Sequence, residues 1–131
     1  MGGDQAVIAI GVGCRSGCDA DEIVALVEDT LAMLPTRRKA LGLYSIDARR
    51  GEAGLADAAS RLGLPLVFLA AEALQRFSDG AQTISPRVDR IHGLPSVAET
   101  AALAGVGDDA VLLVTRRASA RATCAIAGRP L

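Results

Sequence analysis

The sequence predicts an α/β fold, a three-layer α/β/α sandwich around a mixed, mostly parallel sheet of about five to six strands. Three observations carry this. Short apolar runs alternate with stretches of helical period along the chain. The first run, "AVIAIGVG" at residues 6 to 13, is apolar without alternation, as expected of a strand covered on both faces. The last two runs, 110 to 115 and 123 to 128, are joined only by the basic stretch "RRASARA" and read as a hairpin, which makes the sheet mixed.

Each element follows from its residues. After the first strand, Ile23, Leu26, Val27, Thr30, Leu31 and Leu34 recur at three- and four-residue steps and predict a helix from about Asp19 to Leu34. Asp19 is its N-cap, Glu22 stands where a capping box wants an acid, and Pro35 stops it. "ALGLYSID" (40 to 47) reads as the second strand, with Leu41, Leu43 and Ser45 sharing a side. A polar loop and a short helix follow over 48 to 63, closed by Gly63. "LPLVFLA" (64 to 70) is a third strand and "AEALQRF" (71 to 77) a single short helix. Residues 78 to 93 read as irregular, with Pro86 and the lone His92. "PSVAETAALAG" (95 to 105) is a helix opened by Ser96 and Glu99, a second S-x-x-E capping pattern.

At 131 residues the chain is expected to be one domain, residues 1–131, with enough length for a core without staples. Half of it is hydrophobic and only three residues are aromatic, so the core must be Ala, Val, Leu and Ile. A net charge of −1 provides no general field for nucleic acid, and scarce aromatics argue against stacking on single-stranded bases. "LGLPLVFLAA" (62 to 71) is far short of a bilayer span, and no signal peptide or myristoylation pattern stands at the N-terminus, so no membrane association is expected. The expected location is the cytoplasm, where Cys14, Cys18 and Cys124 would be free thiols.

Ligands of such folds bind off the carboxyl ends of the strands. That directs attention to "IGVGCRSGCDADE" (10 to 22), to the loop after Asp47 and to the start of the Ser96 helix. In the opening loop, Gly11 and Gly13 would let the backbone turn and approach a ligand, and Gly17 would permit a positive φ. Backbone N–H groups from Gly13 to Asp19 could face an anion at the helix N-terminus, with Arg15 as a clamp on carboxylate or phosphate. The same residues also describe an ordinary glycine-rich βα turn. The spacing Gly11-x-Gly13-x-x-x-Gly17 departs from the dinucleotide fingerprint, so a nucleotide is disfavoured. Cys14 and Cys18 lack a second close pair for zinc and lack C-x-x-C spacing for redox work; neither a metal nor a cofactor is expected. Cys14 could have a lowered pKa beside the helix start and Arg15, though a small buried residue is the simpler reading. Asp47, Glu52 and Glu99 are the acids nearest the crevice and candidates for general base, and each also has a plain structural reading. Arg116, Arg117 and Arg121 form a charge cluster on the hairpin, within reach of an anionic ligand.

Four motifs, G-x-G-C-R at 11 to 15, S-I-D with E at 45 to 52, L-G-L-P-L at 62 to 66 and S-V-A-E at 96 to 99, together resemble the CobE family, the C-terminal domain of the CbiG proteins of cobalamin biosynthesis. The likeness runs from about Val7 to Ala127. In the CbiG proteins the reaction is opening of a ring lactone on cobalt-precorrin 5A with loss of a two-carbon fragment; this chain carries only the C-terminal module. The resemblance implies a precorrin or cobalt-precorrin ligand, a macrocycle fringed by acetates and propionates. It also implies a basic residue after the acid strand, often Lys in the family and here Arg49 or Arg50. The implied ligand-binding set is Gly11, Gly13, Cys14, Arg15, Gly17, Arg49, Ser96 and Arg116. If there is hydrolysis, Glu52 or Glu99 would activate water, Asp47 would orient, and Arg15 with loop N–H groups would hold the oxyanion. With so few aromatics, the ring would lie on aliphatic side chains. The alternative is a non-catalytic module that docks onto other cobalamin-pathway enzymes.

Overall fold

The computed structural model describes residues 7–36, 38–82 and 96–130. Five strands form one sheet: β1 (Val7–Cys14), β2 (Lys39–Ile46), β3 (Leu66–Leu69), β4 (Val111–Ala118) and β5 (Ala122–Gly128), in the order β3-β2-β1-β5-β4. β1, β2 and β3 are parallel; β5 runs antiparallel between β1 and β4. The helices are α1 (Ala20–Leu31), α2 (Ala53–Leu62), the short α3 (Ala71–Gln75) and α4 (Val97–Val106). The mixed α/β sandwich expected from the sequence is the fold observed. Pro86 and His92 lie outside the described residues.

Alternation along β1 sorts the two faces. Ile8, Ile10 and Val12 enter a core with Ile23 and Val27 of α1 and Leu55 and Ala58 of α2. Ala9 turns the other way, towards Ala102, Leu103 and Val106 of α4. Ile46 and Leu74 join Val97 and Ala101 on that same face. Fully burying each of these Ile and Leu side chains contributes roughly 1.5–3 kcal/mol before entropy is charged against it.

The two layers pack differently because their residues differ in size. α4 presents Ala98, Ala101, Ala102 and Gly105, and it lies almost on the strand backbone. A Cβ on Gly11 would stand 1.9 Å from the Ala98 carbonyl oxygen, and one on Gly105 would stand 2.8 Å from the Ala9 Cβ. Gly11 therefore serves helix-on-sheet packing, and its open face is taken by α4 rather than offered to a ligand. At Gly13 the close neighbour is β5 instead: a Cβ would meet Thr123 Oγ1 at 2.7 Å, while Val97 of α4 would lie at an ordinary 3.6 Å.

Two boundaries and one register differ most from the sequence reading. α1 ends at Leu31, not Leu34. Met33 and Leu34 donate to Thr30 and Leu31, so the chain tightens into three-residue bonds ahead of Pro35, which disfavours helix before it. β4 runs on through Arg116 and Arg117, residues expected in the connection, and the hairpin turn is only residues 119–121. In β2 the register slips between Ile8–Ala40 and Ile10–Leu43. Ala40 and Leu43 consequently share the inner face, and Leu41 is exposed. Gly42 at the slip closes against Pro65, whose carbonyl accepts the Leu43 N–H at 2.9 Å.

Candidate functional site: a carboxylate-binding loop at the strand ends

β1 and β2 deliver their chains into adjacent loops at one end of the sheet. In the first, Cys18 N–H donates to the Arg15 carbonyl at 3.1 Å, closing a β-turn with Gly17 at its third position. Gly17 has φ +79°, the left-handed value such a turn requires there and one that a side chain would strain. Arg15 N–H donates to the Arg121 carbonyl at 2.8 Å, which ties the loop to the β4–β5 hairpin.

The Gly17 N–H is not left to solvent. It donates to Glu52 Oε1 at 2.8 Å, across 35 residues of sequence. Glu52 is half-buried and is the N-cap residue of α2, yet its carboxylate caps no N–H of its own helix. The turn thus holds a carboxylate, and the carboxylate is the protein's own. Contact between the loops is tight: a Cβ on Gly54 would stand 2.1 Å from the Cys18 carbonyl oxygen.

Cys14 sits in the same cluster. Burial first, then Cys18 and Glu52, push its thiol up to about 11, against a smaller opposing pull from Arg49. Burial, with Glu22 and Asp19, pushes Cys18 to about 11 as well. The lowered Cys14 pKa that the helix start and Arg15 suggested is not found, because desolvation outweighs the cations. Both thiols are neutral at pH 7, and so is Cys124, held at about 12 by burial. Among the described residues, no three His, Cys, Asp or Glu side chains gather as metal ligands.

The loop after β2 is a single 3-10 turn, Asp47–Arg49. Asp47 pairs with Arg50 at 2.5 Å, and both are exposed. The Arg50 guanidinium also lies 5.1 Å over the Phe68 ring at the end of β3. Arg50 thereby has both an acid and an aromatic ring as partners. Phe68 was not foreseen as part of this region; nothing in "LPLVFLA" distinguishes it from a core residue.

Ser96, Glu99 and Arg116 form a second group on the α4 face. Ser96 Oγ accepts the Glu99 N–H at 3.1 Å, the N-cap expected from the sequence. The Glu99 side chain is fully buried, and its oxygens accept the Gln82 and Arg116 N–H groups, each at 2.8 Å. Those partners are far apart in sequence, so Glu99 acts as an anchor of the chain. The Arg116 N–H is free for it because β4 bulges between Val114 and Arg117. Of the three acids singled out, only Glu52 combines a ligand-like hydrogen bond with partial exposure.

The candidate residues therefore divide. Cys14, Gly17, Arg49 and Glu52 cluster, with Asp47 on the same turn as Arg49 and with Arg15 tied through its backbone to the hairpin. Ser96, Glu99 and Arg116 join elsewhere; Gly11 serves the packing of α4 on the sheet, and Gly13 lies beside Thr123 of β5. Glu22 was read as half of a capping box; its carboxylate instead accepts from Ser119 Oγ and from the Arg121 N–H at 2.6 Å. The Ser119 hydroxyl first and then the Arg121 N–H hold it below the usual carboxylate range, with the Arg121 charge and the Cys18 thiol adding to them against burial.

A three-layer sandwich with loops gathered at the carboxyl ends of its parallel strands places the chain among α/β domains. Comparison with known proteins gives the family. The model for "Cobalamin synthesis G C-terminus" matches residues 8–127. Protein CobE of Sinorhizobium sp is 37% identical over 124 residues, 94% of this chain and 80% of that protein. The cobalt-precorrin-5A hydrolase of Priestia megaterium is 35% identical over 112 residues, 85% of this chain but only 29% of that protein. Among solved structures, CobE from the cobalamin (vitamin B12) biosynthetic pathway superposes with a TM-score of 0.86 at 37% identity, covering 95% of this chain and 91% of that one. The cobalamin biosynthesis protein chiG of Agrobacterium tumefaciens superposes with a TM-score of 0.73 at 32% identity, covering 95% and 99%. The chain belongs to the cobalamin synthesis G C-terminal family, and its place is in cobalamin biosynthesis.

Proposed function

We propose that this protein binds a precorrin or cobalt-precorrin intermediate in the cytoplasm by its peripheral carboxylates, at the loops carrying Gly17 and Glu52. The observation that carries this reading is the 2.8 Å bond from Gly17 N–H to the Glu52 carboxylate. A site that holds a carboxylate in this manner fits an acetate or propionate of the ligand equally well. Arg15, Arg49 and Arg50 supply charge around it, and guanidinium forks suit carboxylates. Three free thiols are in keeping with a reducing compartment. No helix among the described residues is long and apolar enough to cross a membrane.

The same exchange gives Glu52 a catalytic part. A ligand carboxylate that takes the Gly17 N–H releases Glu52 beside the bound ring. Glu52 then accepts a proton from water as the water oxygen bonds to a lactone carbonyl carbon. Arg15 steadies the oxyanion, with Asp47 orienting from its turn. Cleavage of the ring C–O bond expels an alkoxide, which takes the proton back from Glu52. Glu99, enclosed and bonded to two backbone N–H groups, stays outside this chemistry and holds the hairpin strand that carries Arg116.

The test is titration of the purified protein with precorrin and cobalt-precorrin intermediates, read by absorption and by product mass. Binding with a mass change supports both parts. Binding without one keeps the carrier function and removes the hydrolytic step. No binding to any intermediate overturns the reading in favour of a docking module for other pathway enzymes. Arg15→Ala should weaken binding about tenfold with the fold intact. Glu52→Gln should abolish turnover while leaving binding equal or tighter.

A further inference from the structure

The early end of α1 has a consequence at the other end of the sheet. The chain turns through residues 32–36 before β2 begins at Lys39. This leaves a groove of about 720 Å³, within the size range of small-molecule sites. Glu28 and Leu31 line it from α1, Leu34 and Pro35 from the turn, and Arg38 and Ala40 from the approach to β2. Leu31, Leu34 and Ala40 pack onto the main core beneath, so the apolar wall is fixed from behind.

Arg38 is the unusual member. Its Nη1 is buried and, among the described residues, makes no hydrogen bond. It lies beside the end of β5, 3.5 Å from where a Cβ on Gly128 would stand. Among the described residues Arg38 pairs with no carboxylate. Arginine does not shed its charge, so a partly buried guanidinium without a counter-ion is costly. A carboxylate entering the groove would supply that counter-ion. Exposed Glu28 on the rim disfavours anions of higher charge.

We propose that this groove is a second ligand site, distinct from the crevice, for a small monocarboxylate with an aliphatic tail. The acid group meets Arg38, and the tail lies on Leu31, Leu34 and Pro35. Nothing in this assignment depends on what the crevice binds.

The experiment is titration of the isotope-labelled full chain with hexanoate, and separately with hexanol, followed by amide chemical shifts. Saturable hexanoate shifts at residues 28–40, with little response to hexanol, are expected. Arg38→Gln should weaken hexanoate about tenfold or more, and Arg38→Lys, which keeps the charge, should weaken it less. Glu28→Gln should tighten it severalfold by removing a like charge. Equal response to hexanol, unaltered affinity in Arg38→Gln with native shifts elsewhere, or hexanoate shifts confined to 14–18 and 47–52 would each overturn the site.

Discussion

The first turns of α1 and α4 begin with the same chemistry and finish in different surroundings. Each has an N-cap oxygen, Asp19 or Ser96, that accepts the N–H of an acid three residues on, Glu22 or Glu99. In a capping box that acid would reach back to the N-cap N–H. Here both carboxylates reach across the fold to the β4–β5 hairpin instead. Glu22 takes its turn at Ser119 and Arg121, from the α1 side; Glu99 takes the strand at Arg116, from the α4 side. Glu22 is half-exposed and Glu99 fully buried. One local motif thus supplies two grips on one hairpin, and burial decides how much each grip stabilises.

Removing Glu99 should have the largest effect. Glu99→Ala leaves the N–H groups of Gln82 and Arg116 without their acceptor inside the protein, at about 1–3 kcal/mol each. A loss of roughly 3 kcal/mol or more in urea denaturation is expected. Glu99→Gln should recover only part of it, since its amide nitrogen cannot accept an N–H. A loss below about 1 kcal/mol would mean that burial does not separate the two grips.

The next effect lies between the loops after β1 and β2. Gly54→Ala forces a Cβ to within 2.1 Å of the Cys18 carbonyl oxygen, a backbone atom that cannot rotate away. Overpacking of this kind costs about 1–3 kcal/mol. It should also move the Gly17 amide resonance by disturbing its bond to Glu52. Gly51→Ala, with nothing within 4 Å of the new Cβ, is the matched control and should be close to neutral. If the two behave alike, the closeness of the loops is not what seats Glu52.

These contacts show where sequence reading succeeds and where it stops. Helix and strand placement followed from period and caps, because both are local. The N-caps Asp19 and Ser96, the closing Gly63 with φ +70°, and the positive φ of Gly17 were all legible. The destinations of the Glu22, Glu52 and Glu99 carboxylates were not, since each partner lies at least 17 residues away. The contact of Gly11 with α4 was hidden for the same reason: a glycine that admits a ligand and one that admits a helix look alike until the helix is in place. The slip in β2 that exposes Leu41 depends on pairing with β1, which strand alternation alone does not reveal. That the loops after β1 and β2 lie side by side was legible, and Glu52 was one acid among three until its bond to Gly17 singled it out.

The smallest effect is the one on the α1 side, and pH isolates it. Ser119 Oγ and the Arg121 N–H hold the Glu22 pKa below its ordinary value of 4.5. A carboxylate lowered in the folded state binds protons more readily when unfolded. Its contribution is therefore complete above about pH 4.5 and declines as pH falls towards the folded value. Glu22→Gln should lower stability at neutral pH by less than Glu99→Ala does, and the gap from wild type should narrow as pH drops below that value. Salt should narrow it as well, because the carboxylate is reached by solvent. Denaturation midpoints of both proteins, measured from neutral pH downward, read this directly. A gap that stays constant through the acid range would mean the hairpin turn is held by its own Ser119 and Ala122 bonds, and that only the buried glutamate acts as a grip.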